Sequence, residues 1–130
     1  MVAEKILEVL TGFSCIKGLV PKVDILSQGG ISIEPVEERT AKSYISGDAL
    51  CEFEFKVAVN ADYFEGDIKK VYVFFEAFKA EIETCNMGEI DDKTYALWVS
   101  QEGAFEMEHL STVQTRYAVR CVLTYYKRGE

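Results

Sequence analysis

Residues 51–59 read CEFEFKVAV, and this stretch decides the fold class. Its apolar side chains recur at every second position, while two acids and a lysine point the other way. The alternation is typical of a strand with one face on a hydrophobic core and one in solvent, as in an antiparallel sheet. It also fixes the register, because a slip of one residue would turn the whole apolar set outward.

Three stretches near the C-terminus alternate in the same way. A short strand at 95–99 is separated by Gly103 from another at 105–109, and a long strand at 117–126 closes the chain. The closing strand places Tyr117, Val119, Cys121, Leu123 and Tyr125 on one face, and Arg120, Val122, Thr124 and Tyr126 on the other. Because the second face is also partly apolar, either the fold covers both faces or one face meets a partner.

Two helices are expected. Residues 2–13 carry apolar side chains at spacings of three and four, with Gly12 or Gly18 marking the exit. Asp67 is placed to cap a central helix that ends at residues 85–88. Its expected apolar stripe is Ile68, Val71, Tyr72, Phe75, Phe78 and Ile82. The sequence therefore predicts one α+β domain over residues 1–130, with a mainly antiparallel sheet packed against an N-terminal and a central α-helix.

The segment between the first helix and the first long strand is less regular. Val23, Ile25 and residues 31–33 are expected as short extended pieces, with Gly29-Gly30 between them. Pro35 is expected to end the second piece. Residues 34–40 are polar and lack a periodic apolar face, so we expect a surface connector there, followed by a corner at residues 44–48.

Composition and charge restrict the possible partners. The 130 residues are 48% hydrophobic, with a net charge of −8 and a pI near 4.7. Such a surface repels phosphate backbones and anionic lipids, so nucleic acid is not expected as a specific partner. No signal peptide and no apolar run of about 18 residues is visible, so we expect no membrane partner and a place in the cytosol or a soluble assembly.

Residues with reactive side chains form no recognisable catalytic pattern. The four cysteines lack CxxC spacing, and Cys51 and Cys121 fall on apolar strand faces, so reduced, buried thiols are expected. The single histidine, His109, is expected to be a partly buried or interface side chain and not a general base. No phosphate-binding glycine motif or calcium loop occurs. We therefore expect no enzyme activity, no cofactor and no metal.

Several short motifs carry a resemblance to a known family. They are Ile33-Glu34-Pro35, residues 42–48 (KSYISGD), Phe53-Glu54-Phe55 and residues 116–126 (RYAVRCVLTYY). In element order the chain resembles the tail-terminator or tail-completion proteins, also called minor capsid proteins, of long-tailed phages and prophages of Gram-positive bacteria. The segment 63–88 departs most from that family, since it is shorter before the final strands.

The resemblance implies a structural role in a virion or phage-like particle, after assembly in the bacterial cytoplasm. Such proteins form a ring, usually of six copies, which caps the tail tube and joins the head connector. The implied partners are therefore further copies of the chain, the tail-tube protein and the head-connector protein. The expected interface comprises the connector and corner residues Glu34, Glu37, Glu38, Arg39, Lys42, Tyr44 and Asp48.

Two other functions remain open from the residues alone. A small-ligand-binding or enzymatic domain would enclose a cavity lined by Tyr and Phe between the sheet and the central helix. An acidic immunity-type protein would neutralise a basic partner through a contiguous acidic face.

Overall fold

The computed structural model describes residues 2–10, 12–13, 16, 21–23, 31–65, 67–85, 87–109 and 115–129. Its elements are α1 (Val2–Leu10), β1 (Pro21–Val23), β2 (Ile31–Ser43), β3 (Ala49–Asn60), a short 3₁₀ helix (Ala61–Phe64), α2 (Ile68–Thr84), β4 (Glu89–Asp91), β5 (Thr94–His109) and β6 (Thr115–Lys127). The expected residue Ile25 and the expected breaks at Gly18 and Gly29-Gly30 lie outside the described residues.

The strands form one sheet in the order β1-β2-β3-β6-β5-β4. β1 runs parallel to β2, and all other neighbours are antiparallel. The central pair, β3 and β6, stays in one register from Ala49 opposite Lys127 to Asn60 opposite Arg116. The expectation of a mainly antiparallel sheet is confirmed, and the fold is mostly sheet with few helices.

The alternation read from the sequence corresponds to two faces of the sheet. On the core face, Phe55 and Val57 of β3 and Val119 of β6 are fully or almost fully buried. On the opposite face, here called the polar face, β3 presents Glu52, Glu54 and Lys56, each half-buried. The register of β3 was therefore predicted correctly.

The first helix is shorter than expected. α1 ends at Leu10, and the Gly12 amide donates to the Val9 carbonyl in the turn that follows. Ile6 and Leu10 are completely buried in the same cluster of core residues as the strands. The exit near Gly12 is thus confirmed, although residues 12 and 13 are not helical.

The central helix begins as expected, but its buried side is rotated. The Asp67 carboxylate accepts a hydrogen bond from the Lys69 amide at 3.0 Å, as an N-cap does. Ile68 and Tyr72 were expected in the apolar stripe and are largely exposed, whereas Phe74 is buried. The reason is the 3₁₀ helix, whose Phe64 ring lies 5.5 Å from that of Phe74 and makes a second apolar surface for α2.

The prediction of a surface connector at residues 34–40 is wrong. These residues belong to β2, which pairs with β3 up to Ser43 opposite Ala49. Their polar character reflects the position of β2, because β1 covers only residues 31–33 and the described part of the chain places no strand beyond residues 34–43. Pro35 does not end the strand, since proline is tolerated on an edge where its missing amide has no partner to lose.

The prediction that Gly103 separates two strands is also wrong. β5 is a single strand, and the pairing with β6 shifts register between Glu102 and Glu106. Gly103 has a φ of 74°, so the irregularity takes the form of a bulge inside the strand.

Phe78 provides a test of the helix–sheet core. It is completely buried and its ring contacts those of Phe13, Phe74 and Phe75. We expect Phe78→Ala to lower the free energy of unfolding by about 3–5 kcal/mol, measured by urea denaturation. The control Val73→Ala, at an exposed position of the same helix, should change it by less than about 0.5 kcal/mol. Equal changes in the free energy of unfolding for the two substitutions would contradict the position of Phe78 in the core.

Candidate interaction surface

A cluster of four charges crosses the polar face from β2 to β5. The Arg116 guanidinium lies 2.7 Å from the Glu34 carboxylate and 2.8 Å from that of Glu108. Lys56 lies 2.8 Å from the second oxygen of Glu108. The cluster joins four neighbouring strands, so it holds their relative positions as well as neutralising charge.

The environment of this cluster shifts two pKa values. Hydrogen bonds from Lys56 and Arg116 outweigh partial burial and lower the pKa of Glu108. Burial alone would lower the pKa of Arg116, but its bonds to Glu34 and Glu108 raise it overall. Both shifts favour the charged forms of Glu108 and Arg116 at neutral pH.

A second group of charges lies nearer the β2–β3 turn. The Arg39 Nε donates to Glu52 at 3.0 Å, and its terminal nitrogen lies 3.3 Å from Glu37 and 3.6 Å from Glu54. Arg120 of β6 approaches Glu54 at 3.2 Å. The hydrogen bond to Glu52, together with the nearby acids, raises the pKa of Arg39. The polar face is therefore covered by alternating charges.

The corner expected at residues 44–48 is a structured turn. The Tyr44 amide donates to the Asp48 carbonyl at 2.9 Å, and the Gly47 amide donates to the Tyr44 carbonyl at 3.0 Å. Gly47 has a φ of 92°, which L side chains rarely adopt. The Ile45 side chain is fully exposed at the tip, although it is a large aliphatic group.

The turn is anchored by the end of β6. The Asp48 carboxylate accepts hydrogen bonds from the Tyr126 hydroxyl and, at 2.7 Å, from the Gly129 amide. These bonds lower the pKa of Asp48, and the bond to Asp48 raises the pKa of Tyr126. Gly129 approaches Gly47 so closely that an added Cβ would lie 2.4 Å from the Gly47 carbonyl carbon. The tip is therefore held in one position.

The remaining expected interface residues have separate surroundings. Glu38 accepts a hydrogen bond from the Tyr125 hydroxyl on the core-face side of β2. Burial and this carboxylate raise the pKa of Tyr125 well above its ordinary range. The Lys42 ammonium lies 5.4 Å from the centre of the Tyr44 ring, as in a cation–π contact.

The structure thus distributes the expected interface residues over three places. Glu34, Glu37 and Arg39 belong to the polar-face charges, Lys42, Tyr44 and Asp48 to the tip, and Glu38 to the opposite face. The sequence reasoning missed the partners Arg116, Glu108, Tyr125 and Tyr126, as well as exposed Ile45. The alternating signs of Glu54 and Lys56 indicated a polar face but not which strand would lie beside it.

The histidine and cysteines lie apart from one another. His109 is exposed, so of the two positions expected for it the partly buried one is wrong and the interface one stays a prediction; its Nδ1 lies 3.2 Å from the Thr115 hydroxyl. Cys51 is opposite Tyr125, whereas His109 is opposite Thr115 at the other end of β6. Cys51 and Cys121 are buried as expected, and burial raises the pKa of the Cys121 thiol. Cys15 lies outside the described residues.

Among the described residues, no group of three or more His, Cys, Asp and Glu side chains is arranged to hold a metal ion. None of the helices in the described part of the chain combines the length and apolarity that a membrane crossing requires.

Two geometric features bear on the alternative functions. Hollows of about 660 Å³ at the β2–β3 turn and about 600 Å³ beside α2 both open to solvent, whereas a ligand-binding domain was expected to enclose its cavity. The polar face alternates acids with Arg39, Lys56, Arg116 and Arg120, so it is not the contiguous acidic face of an immunity-type protein.

No protein-family model matches the chain, and no curated protein matches it.

Arg116 tests whether the charge cluster stabilises the sheet. Its side chain is 10% exposed, whereas that of Arg120 on the same strand is 54% exposed. We expect Arg116→Met to lower the free energy of unfolding by about 1–3 kcal/mol, because two acids lose their shared partner. Arg120→Met should cost less than about 1 kcal/mol in the same urea titration. Comparable losses of unfolding free energy in the two variants would show that the cluster stabilises the sheet no more than an exposed ion pair does.

Glu108 makes the stability depend on pH. Its pKa is lowered in the folded protein, so its contribution is complete above the ordinary glutamate pKa of about 4.3 and is lost as pH falls through the folded value. We expect Glu108→Gln to reduce the fall in unfolding free energy between pH 6 and pH 3, measured by urea titrations at each pH. Glu76→Gln, on the exposed side of α2, should leave that fall unchanged. A larger reduction for Glu76→Gln than for Glu108→Gln would contradict the role of Glu108 in this pH dependence.

Proposed function

We propose that the chain is a structural subunit of a phage tail, or of a phage-like particle, that assembles with further copies of itself into a ring. The ring, with six copies expected, caps the tail tube and joins it to the head connector. The proposal includes no catalytic role. Its support is the combination of the sequence resemblance with a surface suited to protein contacts.

The anchored hairpin tip is the observation that carries this proposal. An exposed aliphatic side chain on a mobile loop would lose conformational entropy on binding, whereas Ile45 stands on a turn that Asp48 already fixes to Tyr126 and Gly129. Tyr44 packs 6.2 Å from Tyr126 at the base of the tip. A preorganised apolar projection of this kind suits insertion into another protein surface.

A ring also requires a second, different surface on each subunit. A head-to-tail interface joins unlike patches, and it closes into a ring when the rotation between subunits allows. The exposed residues Ile68, Tyr72 and Val73 of α2 provide such a patch. α2 contacts β5, which lies at the other side of the sheet from β2. We propose that the tip of one copy contacts this side of the next.

Edge pairing through the backbone is a less suitable route to assembly. The exposed part of β2 contains Pro35 and two register shifts, and β5 contains the bulge near Gly103. Such features oppose the addition of a further strand. The contacts in this proposal are therefore made by side chains.

We also propose that the chain is an α+β domain in which both helices cover the core face. The stacking of Phe75 on Phe105, with ring centres 5.0 Å apart, and the burial of Ile6 in the common core support this assignment. The proposed location is the tail of a virion or phage-like particle, with assembly in the host cytoplasm.

Light scattering of the purified protein, alone and with purified tail-tube protein, measures the proposed assembly. We expect a particle of about six copies, either alone or on addition of the tube protein. Ile45→Asp and Val73→Asp should each abolish it, because each places a charge in an apolar contact. The control Val36→Asp, at an exposed apolar position of β2 outside both the tip and the α2 patch, should assemble normally. A wild-type monomer that ignores the tube protein would refute the proposal.

A further inference from the structure

A groove made of two adjoining hollows lies where the β2–β3 turn, the end of β6 and the β4–β5 turn meet. The hollows measure about 660 Å³ and 380 Å³, and Glu38, Tyr125 and Lys127 line both. These volumes fall in the range of about 300–1,000 Å³ that is typical of binding pockets. The groove adjoins the tip at Gly47 and extends from there to the core-face residues Cys51 and Tyr125, away from the exposed Ile45.

The larger hollow is lined mainly by cations, whereas the chain as a whole is acidic. Its lining contains Arg39, Lys93, Lys127 and Arg128 but, among the described residues, only one acid, Glu38. The whole chain, in contrast, has a net charge of −8. A cationic hollow on such an acidic surface attracts a local negative charge.

Not all of these charges are equally available to a ligand. Arg39 is bound to Glu37 and Glu52, and Glu38 already accepts the Tyr125 hydroxyl. Lys127 and Arg128 are exposed, and Arg128 interacts electrostatically with the nearby Asp48 carboxylate without a salt bridge being formed between them. These two side chains therefore define the anion-binding end of the groove.

The smaller hollow has a different chemistry. Val2 of α1, Pro35 of β2 and Phe53 of β3 form its apolar side, next to the ring of Tyr125. Such a wall binds an aliphatic side chain and does not bind a phosphate group. The acids Glu38 and Asp91 also line this hollow, so the carboxylate of a ligand is expected at the larger one. The two hollows together thus match a ligand with a carboxylate close to an apolar group.

We propose that this groove binds an extended acidic peptide segment of a partner protein, with a carboxylate side chain at Lys127 and Arg128 and a neighbouring apolar side chain at Val2, Pro35 and Phe53. A nucleic acid fits less well, because the rest of the surface is strongly acidic and repels a long chain of phosphates. This inference goes beyond the tail proposal and does not depend on ring formation.

Fluorescence anisotropy with a labelled, end-capped hexapeptide of alternating leucine and glutamate tests the groove. We expect saturable binding that weakens as salt is raised. The double variant Lys127→Gln/Arg128→Gln should weaken binding about tenfold or more, since each lost charge contributes roughly 0.7 kcal/mol. The control Lys69→Gln/Lys70→Gln makes the same charge change on α2, away from the groove, and should alter binding less than about twofold.

Changes in the peptide separate the two halves of the groove without altering the protein. Replacing the glutamates by glutamine should abolish the salt dependence, and replacing the leucines by serine should weaken binding. The proposal would be overturned by the absence of peptide binding, by equal losses in both double variants, or by equal affinity for the serine peptide. Displacement of the peptide by millimolar inorganic phosphate, or tighter binding of a single-stranded oligonucleotide, would also overturn it.

Discussion

The antiparallel pairing of β3 with β6 is the constraint on which the rest of the structure depends. These strands occupy the centre of the sheet and remain in one register over their whole contact. A slip of one residue would turn Phe55 and Cys121 out of the core and Lys56 into it. The irregularities occur in the outer strands, where β2 and β5 shift register against this fixed pair. The centre thus specifies which charges can meet on the polar face.

The sequence predicted the elements whose burial follows a simple period. β3 and β6 alternate because one face packs on the core, and Asp67 caps α2 through a local interaction. β2 was missed beyond residue 33 because an edge strand with little cover on either face need not alternate. The apolar stripe of α2 was misplaced for another reason. Burial of Phe74 depends on Phe64, and no helical periodicity reports a contact from a neighbouring element.

The candidate surface was less predictable than the fold because its contacts join distant parts of the chain. The corner at residues 44–48 was identified from its own sequence, since a glycine and an aspartate at a turn act locally. Its attachment to Tyr126, 78 residues away from Asp48, follows only from the placement of β3 beside β6. Likewise, Glu34 and Arg116 are separated by 82 residues. Composition indicated polar faces, whereas strand order determined which charges are paired.

The same strand order explains how an acidic chain can present a cationic groove. On the polar face, Lys56, Arg116 and Arg120 each lie beside a glutamate from another strand, so their charges are compensated there. Lys127 and Arg128 follow at the end of β6, after the last of these pairs, and both are exposed, with Asp48 as the acid that interacts with Arg128. The net charge of −8 therefore describes the average surface but not this end of the sheet. Because charge–charge interactions are screened over about 10 Å in dilute salt, a bound segment responds to the local cations and not to the average.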